Sequence, residues 1–288
     1  MTEVRQVVNK FEELIGKTFP ELIIKEFSML GKGKACIVFL VNNEIVFKIP
    51  LQSRDSAALK NEAKVLRFLD GMPEVPKILY SATAENGLYI LGETLLPGIT
   101  LSYELCDTFD KATNHDILHQ LGRLVRKIHE AGGNDSSWHG GESETLEDLI
   151  NRFNNRLCRV QGLFEASELD KMNEMARTYF DITSKHPVQP VLCHHDLHFL
   201  NLMFDPENKK ITGILDFGCA GYAEPAMDWY YYFDAKAVLE GYGDTGDEYF
   251  SERQQFHALS HLLGNLGDEI TEKPEPYMTL EFIRDYIL

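Results

Sequence analysis

Apolar residues follow two different rhythms on either side of Pro97-Gly98, and that change limits what this chain can fold into. Before it, short apolar and β-branched runs at residues 22–27, 37–41, 44–49, 78–80 and 88–91 read as strands. Asn42-Asn43 and Asn86-Gly87 supply the turns between pairs of them. Two helices accompany the strands. Val4, Val7, Val8, Phe11, Leu14 and Ile15 place one over 2–16, and Leu59, Ala63, Leu66 and Leu69 place the other over 57–69.

Beyond residue 98 the period becomes mainly helical. Leu118, Leu121, Leu124, Val125 and Ile128 mark a helix over 117–129, closed by Gly132-Gly133. Further helices are expected over 146–163 and 167–180, and again from about Ala226 to the end. A strand-rich island at 191–193, 202–204 and 211–215 interrupts them. The expected architecture is α+β: a small, mostly antiparallel β unit, a short connector and a larger helical unit.

Composition narrows the function classes. Of 288 residues, 44% are hydrophobic and 25% charged, as in ordinary globular chains. The net charge is −17, and the acidic excess lies wholly beyond residue 97. Such a surface repels a nucleic-acid backbone or an anionic membrane and attracts a small polycation. No apolar stretch approaches the roughly 20 residues of a membrane span. The first five residues lack a leader pattern, and five scattered cysteines suit reduced thiols, so a cytoplasmic location is expected.

The densest chemistry lies in Cys193-His194-His195-Asp196-Leu197-His198-Phe199-Leu200-Asn201, followed by Ile214-Leu215-Asp216-Phe217-Gly218. Both segments end apolar runs, which exposes their polar ends at a sheet edge. Asn201 and Asp216 offer hard oxygens suited to Mg²⁺, and Asp196 is left to orient an attacking hydroxyl. Adjacent histidines in an extended loop diverge, so His194, His195 and His198 are poorly spaced for zinc. Lys48 sits within an apolar strand and needs an anion there; Glu62 in the following helix is one, and nucleotide phosphates are another.

The motif His194-x-Asp196-Leu-His198-x-x-Asn201 together with Leu215-Asp216-Phe217-Gly218 resembles the catalytic and metal-binding loops of the aminoglycoside phosphotransferases. These belong to the antibiotic and choline-type small-molecule kinases, which share the protein-kinase fold. The resemblance implies a nucleotide-binding lobe at 1–93, a hinge at 94–98 and a catalytic and substrate-binding lobe at 99–288. It implies that Lys48, fixed by Glu62, contacts phosphates, and that Gly31 and Gly33 cover them. Cys36 stands where the full glycine pattern has its third glycine. At the hinge the purine would pair with the Thr94 carbonyl and the Leu96 amide. Pairing through the backbone leaves ATP and GTP open as donors.

Asp228 stands where these enzymes tether the catalytic loop, and a helix N-terminal Asp is an equally good physical reading. Asp228, Asp234 and Glu240 also head the acids expected to meet ammonium groups of a small cationic substrate. The expected activity is transfer of a phosphoryl group from ATP or GTP, with Mg²⁺, to a hydroxyl of an aminoglycoside, as an antibiotic-resistance enzyme acting as a monomer. Kinases for a macrolide, a choline-like or a fructosamine-like metabolite are the alternatives, with a non-catalytic nucleotide-binding module beside them.

Overall fold

The computed structural model describes residues 2–131, 145–229, 235–273 and 276–286. Its helices are α1 (Thr2–Thr18), α2 (Ser56–Phe68), α3 (Tyr103–Cys106), α4 (Lys111–Ala131), α5 (Leu146–Val160), α6 (Ala166–Lys185), α7 (Ala235–Tyr242), α8 (Phe250–Glu272) and α9 (Met278–Tyr286). The strands are β1 (Phe27–Lys32), β2 (Cys36–Val41), β3 (Ile45–Pro50), β4 (Ile78–Thr83), β5 (Tyr89–Thr94), β6 (Ile99–Thr100), β7 (Val191–Cys193), β8 (Leu202–Asp205), β9 (Lys210–Ile214) and β10 (Gly221–Ala223). Gly132-Gly133, the expected close of the helix over 117–129, lies outside the described residues.

The chain divides into two compact units, Met1–Ile117 with His198–Ala220, and Leu118–Leu197 with Gly221–Leu288. The sequence reading places both 99–117 and 198–220 with the C-terminal part, and the structure places both in the first unit. In the structure β8 and β9 pair with each other and β8 pairs with β6, so this hairpin belongs to the first unit. Gly98, just ahead of β6, has φ +101°, and a Cβ there would sit 2.4 Å from the Phe204 carbonyl oxygen. Only glycine lets β6 lie so close to β8.

The first unit is built on an antiparallel sheet in the order β1-β2-β3-β5-β4. Asn42 and Asn43 between β2 and β3 have φ of 54° and 56°, the left-handed pair that the twist of a tight hairpin favours. Ile37, Phe39, Val41, Phe47, Ile49 and Ile90 bury one sheet face against Ile15 and Phe19 at the end of α1. The first strand begins later than expected, at Phe27 instead of residue 22. The reason is local: Asn42 Oδ1 accepts from Lys25 N and Glu26 N, and Asn42 Nδ2 donates to the Ile23 carbonyl. These bonds hold 23–26 as an irregular segment.

In the second unit, Leu149, Phe153 and Leu157 of α5 recur at helical spacing and pack with Tyr179 of α6, Phe256 and Leu263 of α8, and Ile283 of α9. Tyr179 and Phe256 stack at 3.8 Å. Thr145 and Asp148 form a capping box that starts α5. Strand β7 pairs with β10, which leaves the loop after Cys193 at the end of a two-stranded ladder.

Candidate active site

Alternation along β3 decides where Lys48 points. Phe47 and Ile49 enter the core beneath α1, so Lys48 projects from the opposite face, where only 8% of it is exposed. Its Nζ lies 2.7 Å from Glu62 Oε1 and 2.9 Å from Glu93 Oε1. Glu62 reaches it because Leu59, Glu62, Ala63 and Leu66 form the buried stripe of α2. Glu93 reaches it because Val46 pairs with Glu93 in the β3–β5 ladder, which puts Glu93 diagonally across from Lys48 on one face. Glu62 Oε1 also accepts from Phe217 N at 3.2 Å, so one carboxylate joins the strand lysine to the Asp216-Phe217-Gly218 segment.

Burial acts to lower the Lys48 pKa, but Glu62, Glu93 and Asp216 outweigh it and hold the ammonium well above its ordinary value. Burial pushes Glu93 up to about 7 against the pull of Lys48, with Glu62 and Asp216 repelling its charged form. Glu62 Oε2 and Glu93 Oε2 are buried with no hydrogen-bond partner among the described residues. Glu93 was not singled out from the sequence. The available signal was a carboxylate inside the apolar run Tyr89-Ile90-Leu91-Gly92-Glu93, matching the lysine inside β3.

Asn201 and Asp216 are brought together by the β8–β9 hairpin. Leu202 pairs with Ile214, and Leu215 N donates to the Asn201 carbonyl at 2.8 Å. Asn201 is 8% exposed, and its Nδ2 lies 3.3 Å from His198 Nε2. That contact fixes the orientation of the side-chain amide. Asp216 is exposed and held at φ 66°, a left-handed conformation that costs a non-glycine residue roughly 1–2 kcal/mol. One carboxylate and one amide oxygen fit Mg²⁺, which takes few protein ligands and completes its shell with phosphate and water.

Gly31 lies within β1 and Gly33 just beyond it. A Cβ at Gly31 would meet nothing within 4 Å, and one at Gly33 only the Cys36 carbonyl oxygen at 3.7 Å. The fold itself does not require glycine at either position, so the bare backbone leaves room for a close ligand. In the segment expected as a hinge, which lies within the first unit, Thr94 N donates to Lys77 O and Leu95 N to Glu44 O, each at 2.9 Å. Successive peptides therefore face opposite sides there.

In the second unit, Asp228 organises the loop that carries Asp196. Its Oδ2 and Oδ1 accept from His194 N and His195 N, each at 2.8 Å, and Oδ2 lies 3.1 Å from His129 Nε2. His129 Nδ1 in turn lies 2.9 Å from Tyr242 Oη. Asp196 N donates to His194 Nδ1, so His194 braces the loop from beneath. His195 is left-handed, with φ 63°, one residue before half-buried Asp196. Burial opposes the charge on Asp228, but His129 and the neighbouring histidines bring its pKa down to about 2.

The expectation that Asp228 meets an ammonium of the substrate is corrected here. It is 2% exposed, and both its oxygens are engaged by the loop amides and His129. Its tethering place is the one the structure supports. His129, Cys193 and Asp228 cluster closely enough to suggest a cation site. However, the Cys193 thiol donates to the Ala223 and Glu224 carbonyls, and burial drives its pKa well up, so the cluster is a hydrogen-bonded tether. Glu240 is exposed on α7, and Asp234 lies outside the described residues.

Residues 37–262 match the model of the phosphotransferase enzyme family. The chain belongs to this family of small-molecule kinases. An aminoglycoside 3'-phosphotransferase of Streptomyces fradiae is 22% identical over 194 residues, covering 64% of this chain and 68% of its own. The fold is that of aminoglycoside 2'-phosphotransferase-IIIa, solved with GDP, at a TM-score of 0.78 and 19% identity over 96% of this chain and 97% of that one. A macrolide 2'-phosphotransferase from Brachybacterium faecium shares it at a TM-score of 0.67 and 18% identity, covering 93% of this chain and all of its own. Among the described residues no helix is long and apolar enough to cross a membrane.

Proposed function

We propose that the protein transfers the γ-phosphoryl group of ATP or GTP to a hydroxyl of a small molecule. The observation that carries this reading is the buried Lys48–Glu62 pair, bonded through Glu62 to the backbone at Phe217. A lysine so held presents its charge to phosphates without first having to be ordered, which is the larger part of what phosphoryl transfer asks of a protein. Gly31 and Gly33 cover the phosphates, and the purine pairs with the backbone at Thr94 and Leu96. When bound by Asn201 and Asp216, Mg²⁺ supplies neutralising charge for the phosphates. Asp196 accepts a hydrogen bond from the acceptor hydroxyl and aligns its oxygen. That oxygen forms the new bond to phosphorus, the bond to the β-phosphate oxygen breaks, the nucleoside diphosphate leaves, and the hydroxyl proton passes to the Asp196 carboxylate and then to water.

An aminoglycoside acceptor, and with it a role in resistance, is supported by the net charge of −17 and by the activity of the relatives. A second reading, an acceptor carrying an anionic group, is supported by the cleft described below. Both are tested by incubating the full chain with MgATP and MgGTP against aminoglycosides, macrolides, choline and anionic alcohols, and measuring product mass and nucleoside diphosphate release. Transfer to at least one alcohol, lost in Asp216→Asn, is the expected result. Nucleotide binding with no transfer to any alcohol would leave the non-catalytic module standing instead.

A further inference from the structure

Within the second unit, a cleft of about 180 Å³ is lined in part by His195, the residue that precedes Asp196 in sequence. Arg152 and Arg156 line it from α5, His257 and His261 from α8, and His195 and Trp229 complete the wall. Both helix pairs are spaced i, i+4, so each helix turns one basic edge toward the cleft. No carboxylate lines it among the described residues.

The basic groups are built into the fold. Arg156 Nη1 donates to the Ser260 carbonyl at 2.9 Å and to Ser260 Oγ at 3.1 Å. A Cβ at Gly264 would stand 3.1 Å from Arg156 Nε, so glycine gives the guanidinium room to lie against α8. Two carboxylates bonded to lining residues are already engaged: Glu224 by His257, Tyr179 and Arg253, and Asp228 by the His194 and His195 amides and His129. Trp229 is 3% exposed, and its Nε1 has no hydrogen-bond partner among the described residues. The lining thus combines two guanidiniums, three imidazoles and an indole; His257 Nε2 is held by Glu224 and His261 Nε2 lies against Asn265, which leaves the guanidinium forks as its main donors.

We propose that this cleft receives an anionic group of the acceptor, a carboxylate or a phosphate ester, and so favours anionic alcohols over polycations. The proposal rests on the phosphotransferase reading for the fate of the acceptor hydroxyl, though not for the binding itself. The overall negative charge does not oppose it. Surface charges more than about 8 Å away are largely screened at physiological salt, whereas a group inside the cleft meets the arginines directly. Paired guanidiniums match carboxylate and phosphate oxygens in charge and shape.

Calorimetric titration of the full chain tests this with L-malate against its diamide, glycerol 3-phosphate against glycerol, and kanamycin. At least one anion is expected to bind tenfold or more tightly than its neutral counterpart. Arg152→Gln and Arg156→Gln should each weaken that anion about tenfold, while Arg152→Lys and Arg156→Lys, which keep the charge but lose the fork, recover only part of the affinity. The malate and glycerol phosphate arms separate the carboxylate source from the phosphate source. Anions that bind no better than the neutral compounds, or kanamycin that binds more tightly than every anion and loses affinity once an arginine is removed, would overturn the proposal. The wild-type comparison decides even where a variant fails to fold. Anion binding without transfer would uphold the cleft and count against the kinase reading. Transfer to kanamycin without anion binding would do the reverse.

Discussion

Lys48 shares one positive charge between two buried carboxylates, and the phosphates of a nucleotide would make a third claim on it. Glu93, with its pKa near 7, decides how strong the competition is. Below that pH it is protonated and leaves Lys48 to Glu62 and the phosphates; above it, its charge competes with them. Nucleotide affinity should therefore fall several-fold between pH 6 and 8, and Glu93→Gln should flatten the dependence; a titration series across pH checks both. Asp228 behaves in the opposite sense. Its folded pKa of about 2 lies below the usual 3.8, so the stability it lends is complete above about pH 4 and lost as pH falls toward 2. Asp228→Asn should cost on the order of 2–3 kcal/mol at pH 7 and remove that part of the acid dependence, as urea unfolding at several pH values would show. At this scale spacing marks Asp196, Asn201 and Asp216 as candidates, and the structure sets Asn201 and Asp216 at neighbouring ends of the β8–β9 hairpin. Glu93 was not legible, because its meeting with Lys48 depends on strand register, which no local pattern states.

Strands and helices were legible where one side-chain period dominates. The helix over 57–69 is read from its apolar period and the Asn42-Asn43 hairpin from its turn residues, and both form, the helix as Ser56–Phe68. The first strand was misplaced because residues 22–27 are apolar enough for a strand, yet Asn42 takes their backbone groups with its side chain. A side chain 16–19 residues distant leaves no trace in a window of that length. Asn42→Ala should cost about 1–3 kcal/mol, since it removes those hydrogen bonds and places alanine at φ 54°. Chemical denaturation would measure the loss. In the helical unit, Phe153 lies wholly within the core between α5, α6 and α8, and Phe153→Ala should cost about 3–5 kcal/mol by the same measurement.

Over the whole chain, net charge and local chemistry point to different ligands. The −17 total was plain in the composition and argued for a cationic partner. The basic cleft was invisible there, since Arg152, His195, His257 and His261 belong to separate segments. Attraction of a polycation to the acidic surface should weaken several-fold between 0.02 and 0.2 M salt, a loss that salt-dependent titration with kanamycin would record. The most direct test concerns the division of labour between Lys48 and Asp196. Phosphoryl transfer and nucleotide affinity should be measured together in the wild type and in Asp196→Ala. The account predicts a rate lower by roughly 10²–10⁴ with the nucleotide dissociation constant changed less than twofold. An unchanged rate, or a wild type that binds neither MgATP nor MgGTP, would contradict it.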